Sequence, residues 1–512
     1  MYNEKAGKAM KNKLLQGTMV LLCSSVVLRC LGFVYQILVV RIAGTESLGI
    51  LNMTMPFYML LVVVATMGMP IAITKLTAQY AASHGQAVIA QMMRTAFGLV
   101  LILSVFCLIA ACVVMPEVFA LLNTEQRVQQ CFLVLIPGII IVPFCSVMRG
   151  YFQGMQQMVY PSIGQIIEQL IRVFCGIGLI LWVSPKDVLS LAMSLGCAAM
   201  LGEAGGCAFL AVLYLRNRRK ALAGIRYSKI TGSKEWLKPL LSLGLPVTGT
   251  RLTSTVDMAI EASIVPFCLI ASGYTISQAA SIYGQFSGVA VSLLTIPTVL
   301  TGALGTALIP AVSSAAANGQ KHALQHYCQE AVSVTWAFSL PVIFVLYLYG
   351  EELGQILFHL NGLGEMMRWL SFGAVFLYLG QTVVGILQGL GMTRVVFINN
   401  FCGSAAKLIG MYYCIRTMGL GANGIACGMI LGYGLQCMMN VAALAERVSM
   451  RIPWKQILLP VANSLFMVMQ IQFWERIMPE GTLWFLLRLV LAAGGYLFIL
   501  FCSGALRKIV KC

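Results

Sequence analysis

Charge is scarce in this chain, and acidic charge most of all. Only 10% of the 512 residues are charged, and Asp and Glu together number 17. A soluble domain carries about 25% charged residues, so this chain cannot cover itself with polar surface in water. There is no G-x-x-x-x-G-K-[ST] loop, which argues against an ATPase. There is no G-x-S-x-G, no H-E-x-x-H and no cluster of loop carboxylates. An enzyme acting on a membrane-bound substrate exposes acidic or His residues to hold a metal or serve as a base. The chain is therefore read as a non-enzyme without a cofactor, drawing on an ion gradient or the membrane potential. Cysteine is plentiful, at 17, but no C-x-x-C occurs and no Cys/His cluster has zinc spacing. Cys23, Cys107, Cys175, Cys268 and Cys402 fall in apolar runs and read as small buried hydrophobes. His322 and His326, beside Cys328, lack a clear third ligand and read as a solvated helix face.

What is abundant is apolar length. Hydrophobic residues make up 59% of the chain, and the mean hydropathy is +0.87. Runs near the ~20 residues that a bilayer-spanning helix needs recur from end to end. They lack the alternation of a membrane barrel. The fold class expected is an all-α polytopic membrane protein of about fourteen spans, the first at 16–40 and the last two at 456–474 and 482–503. The basic N-terminus followed by an apolar run resembles a signal peptide. The run continues through Val40 without a small-residue cleavage site, so it reads as a retained first helix.

The formal net charge of +17 suggests nucleic acid, but its placement does not. With the N-terminus inside, most Lys and Arg fall at the inner ends of the spans. Lys5, Lys8, Lys11 and Lys13 form one cluster, Arg216, Arg218, Arg219 and Lys220 another, and Arg507, Lys508 and Lys511 a third. This positive-inside bias places a multi-pass protein in the bacterial cytoplasmic membrane with both termini cytoplasmic. The partners expected are membrane lipids and a membrane-borne substrate, not nucleic acid. The 216–238 stretch reads either as a plain topology signal or as a contact for anionic lipid.

That stretch also divides the chain. The domains expected are an N-lobe of six spans (1–215), a cytoplasmic basic linker (216–237), a C-lobe of six spans (238–445) and two further spans with a tail (446–512). At a constant offset of 235 residues, Gln153-Gly154 falls on Gln388-Gly389, Leu48-Gly49 on Tyr283-Gly284, and Arg172 on Lys407. Matches at one offset point to two six-helix repeats, a common build for secondary transporters.

Charge inside a membrane costs from about 2.5 to over 10 kcal/mol and therefore faces a bundle interior or a water-filled cavity. Four spans carry polar stripes at helical spacing. The first has Ser25, Arg29, Gly32 and Gln36; the fifth has Gln165, Glu168, Gln169 and Arg172. The seventh has Thr250, Ser254, Asp257 and Glu261, with Arg251 on an adjoining face; the eleventh has Asn400, Ser404 and Lys407. They are spans one and five of each half, and are expected to converge on one central cavity. Glu168 and Arg172, four residues apart, can simply pair as glue between helices. Arg29, Arg251 and Lys407 have no carboxylate on the same face of the same helix, and a substrate phosphate suits them. Asp257 and Glu261 are either coupling sites or counter-ions to Arg251. Glu203 stands alone in the sixth span and suggests no role.

These residues carry a resemblance. The segment GTMVLLCSSVVLRCLGFVYQILVVRIAGTESLGI (17–50) resembles the first span of the polysaccharide-biosynthesis branch of the multidrug/oligosaccharidyl-lipid/polysaccharide (MOP) exporter superfamily. MGMPIAITKLTAQ (67–79), RGYFQGMQQMVYPSIGQIIEQLIRV (149–173) and TALIPAVS (306–313) resemble its stage V sporulation protein B group. The resemblance is collinear over roughly 14–450. It implies two lobes, alternating access, and flipping of an undecaprenyl-diphosphate-linked oligosaccharide, with the peptidoglycan precursor lipid II as first candidate, for cell wall or spore cortex. It implies that Arg29, Arg172, Arg251 and Lys407 bind diphosphate. Glu168, Asp257, Glu261, Gln36, Gln165 and Asn400 would support or couple, and Arg41 and Glu46 would line the exit. Cell-wall synthesis machinery is an implied partner. Alternatives are another lipid-linked repeat-unit exporter, a cation or drug antiporter of the same superfamily, or a non-transporting scaffold. Cation–drug antiport is disfavoured, because the first span carries Arg29 and no acid.

Overall fold

In the computed structural model, residues 2–81, 85–122, 124–183, 187–221, 234–448, 454–479 and 481–502 are described. They are helical throughout, with no strand among them. This bears out the all-α class. It follows from the solvent: in hydrocarbon every backbone N–H and C=O must be paired within its own segment.

The chain divides into two compact units. The first comprises Met1–Phe267 and Ile276–Gly284, the second Cys268–Thr275 and Gln285–Cys512. In the first, α1 (Tyr2–Thr66) breaks at Gly44, whose φ of 79° is open to glycine at little cost. There follow α2 (Met69–Ala81), α3 (Gly85–Leu121), α4 (Gln126–Leu135), α5 (Gly138–Gly154), α6 (Val159–Trp182), α7 (Val188–Ala221), α8 (Leu237–Ala271) and α9 (Ile276–Gly284). In the second are α10 (Val291–Leu294), α11 (Thr298–Ala317), α12 (Lys321–Phe358), α13 (Gly364–Gly389), α14 (Thr393–Tyr412), α15 (Ala422–Arg447), α16 (Trp454–Ile477) and α17 (Thr482–Cys502). Single π-helical stretches, Gln285–Ala290 and Tyr413–Thr417, interrupt the α-geometry.

Among the described residues, ten helices are long and apolar enough to cross a membrane, or eleven if the bent pair α4–α5 is one span. That criterion does not establish fourteen. It takes Ser24–Ala81 as one stretch of 58 residues. At 1.5 Å per residue such a stretch is far longer than the ~30 Å hydrocarbon core. It also passes over α14, where Arg394, Asn399, Asn400 and Lys407 lower the hydropathy. The basic clusters at 5–13 and 507–511, and most of the 216–237 linker, lie outside the residues whose side chains are described.

Glycine sets how closely the helices approach, as expected where apolar lipid removes the hydrophobic drive between them. In the first unit a Cβ at Gly154 would lie 2.5 Å from the Thr77 side chain, and one at Gly150 would lie 2.8 Å from the Pro70 carbonyl. In the second, a Cβ at Gly389 would lie 3.0 Å from Val312, and one at Gly385 would lie 2.5 Å from the Gly305 Cα. Each residue of the second set stands 235 positions after its counterpart in the first. The α2–α5 contact therefore recurs as α11–α13, at the offset read from the sequence.

The tightest approach is between α1 and α9. A Cβ at Gly49 would lie 2.0 Å from the Ala280 carbonyl, and one at Gly284 would lie 1.9 Å from the Thr45 carbonyl. A Thr45–Ser281 hydroxyl bond of 2.7 Å closes the same contact. Gly284→Val is thus expected to lower stability by at least the ~1–3 kcal/mol of overpacking. SDS titration of purified protein checks this, and a wild-type midpoint would contradict the packing described.

Candidate functional site

The fifth-span motif is α6, and its polar residues form an ion network within the first unit. Arg172 sits four residues after Glu168, so one helical turn brings them together. Arg172 Nη2 donates to Glu168 Oε1 at 2.8 Å, and Arg172 Nη1 donates to Gln169 Oε1 at 3.2 Å. The other Glu168 oxygen, Oε2, accepts from Arg149 Nη2 of α5 at 2.6 Å. Glu203 Oε1 of α7 lies 3.6 Å from Arg172 Nη2. Two guanidiniums and two carboxylates thus balance, with Glu168 as the centre and only 13% of its side chain exposed.

The close approach of α7 to α6 has a sequence cause. A Cβ at Gly202 would lie 2.7 Å from the Glu168 carbonyl and 3.1 Å from Arg172 Cβ. One at Gly206 would lie 3.1 Å from Glu168 Cβ. Gly202 and Gly206 form a small-x-x-x-small pair on either side of Glu203.

Beside this network is a cavity of about 360 Å³ whose polar lining includes Tyr35, Gln36, Asn52, Gln169, Arg172 and Glu203. Such a volume is at the small end of ligand pockets, ~300–1,000 Å³. It exposes one cation and one carboxylate together with amide groups. Gln169 is held where α1 passes closely: a Cβ at Gly32 would lie 3.7 Å from its Nε2.

Of the residues singled out in the sequence, Gln36, Gln169 and Arg172 meet at this cavity, and Glu168 lies behind Arg172. Arg29 and Arg251 are exposed on α1 and α8 and do not line it. Gln165, Asp257 and Glu261 are half-buried and do not line it either. Glu46 is engaged elsewhere: it accepts from Arg127 Nη1 at 2.7 Å, and Arg127 Nε also donates to Glu125. Burial pushes the Glu125 carboxyl, in the loop before α4, above its ordinary range, against the opposing effect of Arg127. Arg41 is exposed. Lys407 and Asn400 belong to the second unit. Lys407 is 9% exposed and packs its Cβ where a Cβ at Gly432 would lie 2.5 Å away, and Asn400 Oδ1 accepts from Gln436 Nε2.

Two participants escaped the sequence reading. Glu203 looked isolated because its partner is on another helix; the glycines flanking it were the available signal. Arg149, at the start of the 149–173 segment, lies on α5 and pairs with Glu168 on α6. Among the described residues no group of three or more His, Cys, Asp or Glu could hold a metal.

Known proteins share this build. Residues 14–316 match the family described as "Polysaccharide biosynthesis protein", and 263–413 match MatE. Stage V sporulation protein B of Bacillus subtilis (strain 168) is 24% identical over 453 residues, 88% of this chain and 87% of that protein. Lipid II flippase MurJ of the same organism is 23% identical over 449 residues, covering 83% of this chain and 81% of that one. A solved lipid II flippase MurJ in an inward closed conformation superposes with a TM-score of 0.67 at 14% identity, over 96% of this chain and 99% of that one.

Removing a carboxylate leaves a half-buried guanidinium short of counter-charge, at a cost below the about 3–5 kcal/mol of a fully buried pair, because the Arg149 and Arg172 side chains keep 22% and 26% exposure. Glu168→Ala, which takes the carboxylate from Arg149 and leaves Arg172 with Glu203 at 3.6 Å, is expected to destabilise the protein more than Glu203→Ala. Equal shifts of the two variants in SDS titration would contradict the centrality of Glu168.

Proposed function

The chain belongs to the polysaccharide biosynthesis protein family, and on that premise we propose that it is a flippase for a lipid-linked saccharide. The substrate in this reading is an undecaprenyl-diphosphate-linked oligosaccharide, with lipid II as first candidate, for cell wall or spore cortex. It crosses the cytoplasmic membrane by alternating access, with both chain termini in the cytoplasm and a gradient or the membrane potential as drive. The observation that carries the reading is the charged and amide-lined cavity of the first unit, inside a multi-pass helical protein whose relatives are named as flippases and sporulation proteins rather than enzymes.

In this reading the lipid tail stays in the bilayer while the polar head passes through protein. The diphosphate needs cations. Arg172 is already committed to Glu168 and Glu203, so it offers a phosphate at most a shared guanidinium. Arg29 and Arg251, exposed on α1 and α8, serve as the first phosphate ligands. Lys407 is the second unit's counterpart to Arg172. Asp257 and Glu261 couple the cycle to ions or tune Arg251, and Arg41 and Glu46 border the exit. The two-lobe division about the 216–237 linker is part of the same proposal, as is any meeting with cell-wall synthesis machinery. A second reading is cation antiport, in which Asp257 and Glu261, which stand just before the 263–413 MatE match, bind the cation.

Charge-assisted hydrogen bonds are worth about 1.5–3 kcal/mol each. Arg29→Ala and Arg251→Ala are therefore each expected to slow lipid II flipping in reconstituted vesicles by about tenfold or more. Full activity in both folded variants would sink the diphosphate role.

A further inference from the structure

The second unit holds a cavity of its own, about 310 Å³, between α11, α13, α14 and α15. Among the described residues its lining contains no Asp, Glu, Lys or Arg. Four amides face it, from Gln381, Gln388, Asn400 and Gln436, with the rings of Phe376 and Tyr433. Gly302, Gly305, Gly380 and Gly385 also line it. Gly385 and Gly305 touch backbone to backbone, and no side chain fits between them. Thr301 Oγ1 donates to Gln381 Oε1 at 2.8 Å and holds one amide in place. Asn400 and Gln388 are exposed at the rim.

The internal repeat sharpens the contrast. Arg149 and Glu168 correspond, 235 residues on, to Val384 and Gly403. Glu203 follows the glycine that packs on Arg172, and Tyr433 follows the glycine that packs on Lys407. The charged network of the first unit is thus replaced at corresponding places by valine, glycine and tyrosine. Arg172 becomes Lys407, which is absent from the lining.

Chemistry narrows the occupant. A hydrocarbon chain would cover the amide hydrogen-bonding positions that the Gln436–Asn400 and Thr301–Gln381 bonds do not use, at a cost for each. A diphosphate would find no cation to neutralise it. An uncharged group dense in hydroxyls satisfies both conditions, since amides donate and accept equally well. Aromatic rings supply flat apolar faces for the C–H surfaces of such a group. Resting on the flippase reading above, we propose that this amide cavity binds the saccharide part of the lipid-linked substrate.

The test compares two lipids on the full chain in nanodiscs: undecaprenyl diphosphate, and the same lipid bearing a disaccharide. Each lost amide hydrogen bond is worth roughly fivefold in affinity. Gln388→Leu is expected to weaken the disaccharide lipid about fivefold, and Gln388→Leu with Gln436→Leu more than tenfold. Bare undecaprenyl diphosphate is expected to bind all variants alike. The single variant at the exposed rim keeps the test valid where the double variant does not fold. Equal loss on both lipids, or unchanged binding of the disaccharide lipid, overturns the saccharide site and leaves the flippase reading standing. Wild-type protein that binds neither lipid overturns the flippase reading, and the site with it.

Discussion

A charge that leaves water needs a partner, and in the first unit that need converges on Glu168. One carboxylate answers Arg149 through one oxygen and Arg172 through the other. This joins α5 to α6, and Glu203 brings in α7. The arrangement works only because Gly202 and Gly206 let α7 lie against α6 without a side chain between them. The cavity beside it inherits its polarity, since Arg172 and Glu203 belong to both. A local ion pair and a cavity lining are not competing descriptions here: the Arg172 guanidinium pairs with Glu168 and also forms part of the cavity surface.

The two halves share a skeleton and differ in chemistry. Glycine contacts between α2 and α5 return between α11 and α13 at the same sequence offset, because backbone approach is what the repeat preserves. The polar residues hung on that skeleton are not preserved. One unit places paired charges around its cavity and the other places amides. A substrate with an anionic and an uncharged part is the sort of ligand such a division accommodates. A small organic cation gives no reason for it.

The helical class was legible because the lipid solvent dictates it, and the repeat was legible because glycines and the Gln-Gly pair fall at one offset. The i, i+4 relation of Glu168 and Arg172 was equally plain, since both lie on one helix. Glu203 and Arg149 were not, because their partners lie on other helices and no single-helix periodicity reports that. Span counting by hydropathy passes over α14, where Arg394, Asn399, Asn400 and Lys407 lower the mean, and over α16 and the α9–α10 stretch as well. Arg29 stood out in sequence as an uncompensated cation, and the structure leaves it on the exposed face of α1, away from the cavity that its stripe-mate Gln36 lines.

The proposal at stake is transport of a lipid-linked saccharide by this chain. Purified protein in vesicles, given fluorescently labelled lipid II and, separately, a cationic dye, tests it most directly. Protein-dependent movement of lipid II to the opposite leaflet is expected, with no accumulation of dye. Dye accumulation with lipid II left where it was loaded would contradict the proposal.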